Sequence, residues 1–276
     1  MRLDRYVSNA LSTPRRATNK LIRAGRVQVN GLTVRDPMVH VVPSGDVVAL
    51  DDEALRAPGH ITLMMHKPMG CISATQSRSH ATVLDHVPAA LQHRKLAPIG
   101  RLDKDTTGLL LLTTDGGLNH YLAHPKHNVD KAYRATLKEA LPADAEARFE
   151  AGLVLADGTN CLPASLERLG DEQVRVVLHE GRFHQVKRML GALGGHVTAL
   201  HRERIGDLEL DPALAPGDAR ELNASEWASL ARTLPKERLP SAWQPPEGYQ
   251  PRDRRRRARR GESATKACQA AKTPER

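Results

Sequence analysis

The chain has 276 residues and a formal net charge of +9. A basic chain of this length points to a polyanionic partner and can hold a catalytic body with a small appendage. Aromatic residues are only 3% of it, too few for a platform that stacks single strands, and Cys71, Cys161 and Cys268 are too scattered for a metal motif or a disulfide framework. The charge is concentrated at the ends. Residues 1–50 carry eight basic and three acidic side chains, residues 235–276 twelve and five, and the body between is nearly neutral. The first residues lack an apolar signal region, and no run of about 18 apolar residues occurs. The expectation is a soluble cytoplasmic protein with no membrane partner.

Leu3, Tyr6, Val7, Ala10 and Leu11 recur at helical spacing and predict a first helix. Thr13-Pro14 predicts the start of a second, with a hydroxyl N-cap and proline in the first turn, and Gly25 its end. Arg16, Lys20 and Arg23 share one face of that helix. Two short β-runs then flank Asn30-Gly31, a strong hairpin signal, and Val47–Leu50 predicts a third strand. A charge stripe is most often only a solvated face. Here, however, Arg2-Leu3-Asp4, Arg15-Arg16, the run from Leu21 to Gly31, and Gly45-Asp46-Val47 together resemble the S4 RNA-binding domain. That resemblance implies a helix pair whose Arg15, Arg16, Lys20, Arg23 and Arg26 bind phosphates of structured RNA without reading bases.

Asp51 to Gly59 reads as a polar linker. Ile61–Met65 is a predicted strand running into the turn Lys67-Pro68-Met69-Gly70. Gly100-Arg101-Leu102-Asp103-Lys104-Asp105-Thr106-Thr107-Gly108 crowds four charges in front of four consecutive leucines, Leu109–Leu112, which predict a buried strand. Charges beside a core must be solvated, paired or functional. A short helix is predicted over Leu118–Ala123. His120, His124 and His127 span its end and Pro125 with no carboxylate or thiol pair, so they do not form a metal motif. Lys131–Leu137 alternates like a strand, Pro142–Gly152 reads as helix, and Ala164–Leu169 with Gln173–Leu178 as a hairpin. Glu180-Gly181-Arg182 leads into a helix whose start carries His184, Lys187 and Arg188. Cations there oppose the helix dipole and require an anion nearby. Val197–Leu200 and Leu208–Leu210 are further strands, and Leu214–Leu222 introduces a last helix from Ser225 to about Arg232. From Pro235 the chain turns proline- and arginine-rich, with no apolar periodicity, and is expected to be a disordered basic tail.

Gly-Arg-Leu-Asp-x-x-Thr-x-Gly followed by four leucines and a threonine at 100–113, with Lys67-Pro68-x-Gly70, Lys131-x-Tyr133 and the run from Glu180 to Met189, closely resembles the RsuA family of pseudouridine synthases over residues 1–232. Phe183-His184-Gln185 and His201-Arg202-Glu203 resemble the members that act on small-subunit (16S) rRNA. The alternatives left open are a synthase acting on 23S rRNA or tRNA, and a non-catalytic S4-type assembly factor. The resemblance implies an α+β fold: an S4 domain and linker (1–58), then a catalytic domain (59–234) with a mixed, largely antiparallel sheet flanked by helices, then the tail (235–276). It implies a monomer that isomerises a uridine of partly assembled 16S rRNA without metal or cofactor. Asp103 would be the nucleophile, attacking either the uracil ring or ribose C1′. Lys187 would keep it ionised, with Arg188 as fallback, and Tyr133 would stack on the base or assist a proton transfer. Arg101, two residues from the nucleophile, would fill the vacated stack or hold flanking phosphates. Lys67, Arg182, His184 and Arg188 complete the expected RNA contacts.

Overall fold

The structure, a computed structural model, describes residues 1–235 apart from Ser12, Ser44, 56–58 and His93. The expected basic tail therefore lies, beyond Pro235, outside the described residues. The chain opens with helices α1 (Leu3–Ala10) and α2 (Arg15–Arg23) and strands β1 (Val27–Val29), β2 (Leu32–Val34), β3 (Val48–Leu50) and β4 (Glu53–Ala54). The strands form an antiparallel sheet in the order β2-β1-β3-β4. Leu3, Tyr6 and Val7 of α1 meet Ile22 of α2 over Val27, Val41 and Val48, so the helical spacing of the sequence becomes one small core. The Asn30-Gly31 turn has φ of 51° and 79°, the positive values that its residue types predict.

Two local expectations are corrected. Pro14, in extended backbone with ψ of 141°, is itself the N-cap of α2, and the Thr13 hydroxyl donates instead to the Leu11 carbonyl at 2.9 Å. The expected linker begins with a strand: Asp51 and Asp52, at φ of 50° and 69°, turn the chain back so that β4 pairs with β3. Aspartate tolerates the left-handed region better than most residues, which makes such a turn accessible without glycine.

The second sheet is built from β5 (Thr62–Lys67), β6 (Ala97–Pro98), β7 (Thr106–Thr113), β8 (Lys131–Leu137), β9 (Ser165–Arg168), β10 (Gln173–Leu178), β11 (Val197–Ile205), β12 (Leu208–Glu209) and β13 (Ala219–Glu221). Its order is β13-β5-β7-β11-β8-β10-β9, with β6 beside β7 and β12 beside β11. The β7–β11 pair is parallel and the other pairs are antiparallel. Helices α3 (Gly116–Ala123), α4 (Ala145–Ala151), α5 (Gln185–Gly191) and α6 (Ala224–Thr233) complete an α+β domain.

Strand β7 explains the leucine run. Leu110 and Leu112 enter one core with Phe149, Val174, Met189 and Leu190. Leu109 and Leu111 enter a second, with Met64, Leu118, Leu122 and Leu230. A strand covered on both faces carries apolar residues continuously rather than alternately, and each fully buried leucine contributes about 1.5–3 kcal/mol. The Asp115 carboxylate then caps α3 by accepting from the Gly117 and Leu118 amides. Strand β11 runs on through His201–Ile205, past its expected end at Leu200, and β13 was not anticipated. A three-residue edge strand, Ala-Arg-Glu, carries no periodicity to find. Among the described residues, no helix is long and apolar enough to cross a membrane.

Candidate active site

The charged loop between Gly100 and β7 is held from beneath by the Lys67-Pro68-x-Gly70 turn at the end of β5. The Lys67 side chain is 0% exposed, and its ammonium donates to the carbonyls of Pro68 and Thr106 at 2.9 Å and of Lys104 at 3.4 Å. The Gly70 amide donates to the Lys104 carbonyl at 2.8 Å. From the side, Ser73 Oγ accepts from the Leu102 amide at 3.0 Å and donates to its carbonyl at 2.9 Å. Lys67 is therefore not an RNA contact. Burial lowers its pKa, and the Asp105 and Asp103 carboxylates pull in the opposite direction. It is an internal clamp beneath the loop.

Across the sheet, the register brings three functional strands together. Arg202 on β11 pairs with Gly108 on β7 and with Tyr133 on β8. A Cβ on Gly108 would lie 2.3 Å from the Arg202 carbonyl oxygen, so this contact requires glycine. The result is a cleft of about 280 Å³ lined by Arg101, Asp103, Thr106, Lys131, Tyr133, Arg182, Phe183, His184 and Arg202, among others. That volume suits a ligand of nucleoside size. Its floor is cationic. Arg202 is 1% exposed, donates from Nε to the Leu109 carbonyl at 2.7 Å, and lies 6.0 Å from the Tyr133 ring centre. Lys131 is 8% exposed and donates to the Val129 carbonyl at 3.0 Å. Burial and then Arg202 push its pKa down to about 8, against the pull of Asp130. Arg202 Nη2 and Thr106 Oγ1 are buried without a hydrogen-bond partner among the described residues, and both residues line the cleft.

The carboxylates divide the nearby cations between them. His184 Nε2 lies 3.5 Å from Asp103 Oδ1. Lys187 instead donates to Asp105 Oδ1 at 2.6 Å and holds that carboxyl below the usual range, so the expected Lys187–Asp103 pairing is corrected. Arg188, the fallback, pairs with Asp157 at 2.5 Å, and Arg182 with Glu180 at 3.1 Å. The cations at the start of α5 thus do have anions opposite them, as the helix dipole requires. Asp103 and Tyr133 line one cleft, as do Arg101, Arg182 and His184 of the expected RNA contacts. Arg15, Arg16, Lys20 and Arg23 lie on α2, and no carboxylate among the described residues pairs with them. Arg26, just beyond, is bound by Asp51. The His120, His124 and His127 rings pack on one another at 5.0 and 6.0 Å, and His127 stacks on Tyr121.

Residues 61–192 match the family model for RNA pseudouridylate synthases, and residues 1–48 that for the S4 domain. The chain is 44% identical over 233 residues to the ribosomal small subunit pseudouridine synthase A of Pseudomonas aeruginosa, covering 83% of this chain and 100% of that protein. It is 39% identical over 231 residues to the protein of the same name from Escherichia coli strain K12, with the same coverage. A crystal structure of a pseudouridylate synthase matches with a TM-score of 0.59 at 36% identity, covering 83% of this chain and 99% of that one. The chain belongs to the RsuA family of RNA pseudouridine synthases. It is therefore an isomerase. Sequence reasoning on this synthase missed Ser73, Thr106 and the part played by the cationic floor. Arg202 and Lys131 both stood in recognised motifs, but nothing in their spacing distinguishes a buried guanidinium from an exposed one.

Proposed function

We propose that this synthase converts one uridine of 16S rRNA to pseudouridine, with Asp103 as the nucleophile. The observation that carries this reading is that Asp103 and Tyr133 line the same open, nucleoside-sized cleft. The names of the relatives support small-subunit rRNA as the substrate. The target base leaves its stack, at a cost of a few kcal/mol, and enters beside Tyr133. The Asp103 carboxylate attacks the uracil ring or ribose C1′, and the C1′–N1 bond breaks. The detached base turns, C1′ bonds to C5, the bond to Asp103 breaks to return the free carboxylate, the C5 proton departs, and N1 ends up protonated. Arg202 and Thr106 line the cleft beside the place where the base would enter. The buried Lys67 stands behind the loop, and His184 Nε2 stands in front of it, 3.5 Å from the Asp103 carboxylate. Arg15, Arg16, Lys20 and Arg23 of α2 hold RNA phosphates, and the synthase works as a cytoplasmic monomer on a partly assembled small subunit.

Carbodiimide mapping of 16S and 23S rRNA from a deletion strain tests the substrate: one pseudouridine should vanish from 16S, and a loss confined to 23S would replace it. Asp103→Asn should abolish conversion in vitro while RNA affinity stays within a few fold. Retained turnover would remove the nucleophile assignment.

A further inference from the structure

Phe183 is 68% exposed, whereas Phe149, the other phenylalanine, is fully buried. Phe183 lies beside the cleft, and its ring stacks on that of His184 with centres 3.8 Å apart and planes 17° apart. His184 holds this position at φ of 50° and ψ of 32°, a left-handed conformation that is unfavourable for a residue with a Cβ. The two rings form a step. Its inner edge is His184, 3.5 Å from Asp103, and its outer ring faces solvent. Arg101 and Arg182, both exposed, line the same cleft. A lone apolar ring among guanidiniums poorly suits an apolar protein patch. It suits a nucleobase, whose π-face stacks on an aromatic ring while its flanking phosphates meet cations.

We infer that Phe183 is the stacking residue for a base next to the everted uridine: its ring takes the stacking partner's place, which leaves Arg101 to the phosphates. This inference rests on the reading that a uridine is everted into the Asp103 cleft. The Phe183–His184 pair then serves as a preformed substitute for the interrupted base stack, and the left-handed backbone at His184 presents it there before RNA arrives.

The test uses the full chain and a 16S rRNA fragment containing the uridine that loses its pseudouridine in the deletion strain, under saturating single-turnover conditions. Phe183→Ala should convert it roughly tenfold to a hundredfold more slowly, the size expected for loss of one base–aromatic stack, and Phe183→Tyr should stay close to wild type. Fragments with an abasic nucleotide 5′ or 3′ of the target identify the partner. One of them should slow the wild type by a similar factor and slow Phe183→Ala little further. A wild-type rate for Phe183→Ala would overturn the inference, and so would equal slowing of both proteins by each abasic fragment. Absence of conversion by the wild type itself would overturn the underlying reading, and with it this one.

Discussion

The cations of the cleft floor and those of the first helix pair make opposite use of the same charge. On α2, Arg16, Lys20 and Arg23 point outward, share one face and lack a carboxylate partner among the described residues. Under the cleft, Lys67, Lys131 and Arg202 are buried, and each donates to at least one backbone carbonyl. The exposed set is free to exchange counterions for phosphates. The buried set sits in a low-dielectric floor, where charge is costly to hold but acts strongly on whatever enters. Sequence periodicity identifies the first kind. It is blind to the second, because burial is decided by strand register.

The largest expected effect that separates the two sets is on pH. Lys131 in the folded protein gives up its proton near pH 8, whereas in the unfolded chain it does so near 10.5. Between those values the unfolded state binds more protons, so stability rises with pH over that window. Below it both states are protonated and a constant penalty of about 3 kcal/mol remains. Lys131→Met removes this contribution. The stability of wild type minus that of Lys131→Met, from denaturant melts, should increase by about 3 kcal/mol between pH 7 and pH 10.5. A difference that does not change with pH would mean that the ammonium is solvated in the folded protein.

Lys67→Met is expected to cost less overall, about 2 kcal/mol. Three carbonyls lose their donor, while removal of a buried charge offsets part of that loss. The distinguishing sign is local: hydrogen exchange at the Gly70 and Thr106 amides, which bond to the Lys104 and Asp103 carbonyls, should quicken more than exchange in β8. Uniform quickening would make Lys67 a general core residue rather than a clamp on the Asp103 loop.

The clamp also marks the boundary of what the sequence reveals. The Asn30-Gly31 hairpin, the Leu109–Leu112 strand and the α+β class were legible because turn chemistry and apolar runs are local signals. Asp103 and Tyr133 were legible as a pair through family motifs, and they line one cleft. The partner of Lys187 was not. Asp103 and Asp105 are two residues apart on one loop, and which of them meets α5 depends on how that loop is bent by Lys67, Ser73 and Gly70. The same loss of local signal hid β13 and β4, whose pairing partners lie far away or across a turn of two aspartates.

The smallest effect expected per residue belongs to the exposed set. If α2 holds phosphates, each of Arg16, Lys20 and Arg23 releases about one condensed counterion on binding, and the slope of log affinity against log salt should fall by about 0.7–0.9 per cation removed. The triple alanine variant should weaken RNA binding about tenfold to a hundredfold at physiological salt, and by a similar factor for unrelated structured RNAs, since phosphate contacts carry no sequence information. Its fold should be unaffected, because these side chains lie outside the Leu3–Tyr6–Ile22 core. Filter-binding titrations at several salt concentrations read both quantities. An unchanged salt slope would return α2 to a merely solvated face and leave the cleft cations, Arg101 and Arg182 foremost, to supply the electrostatic attraction alone.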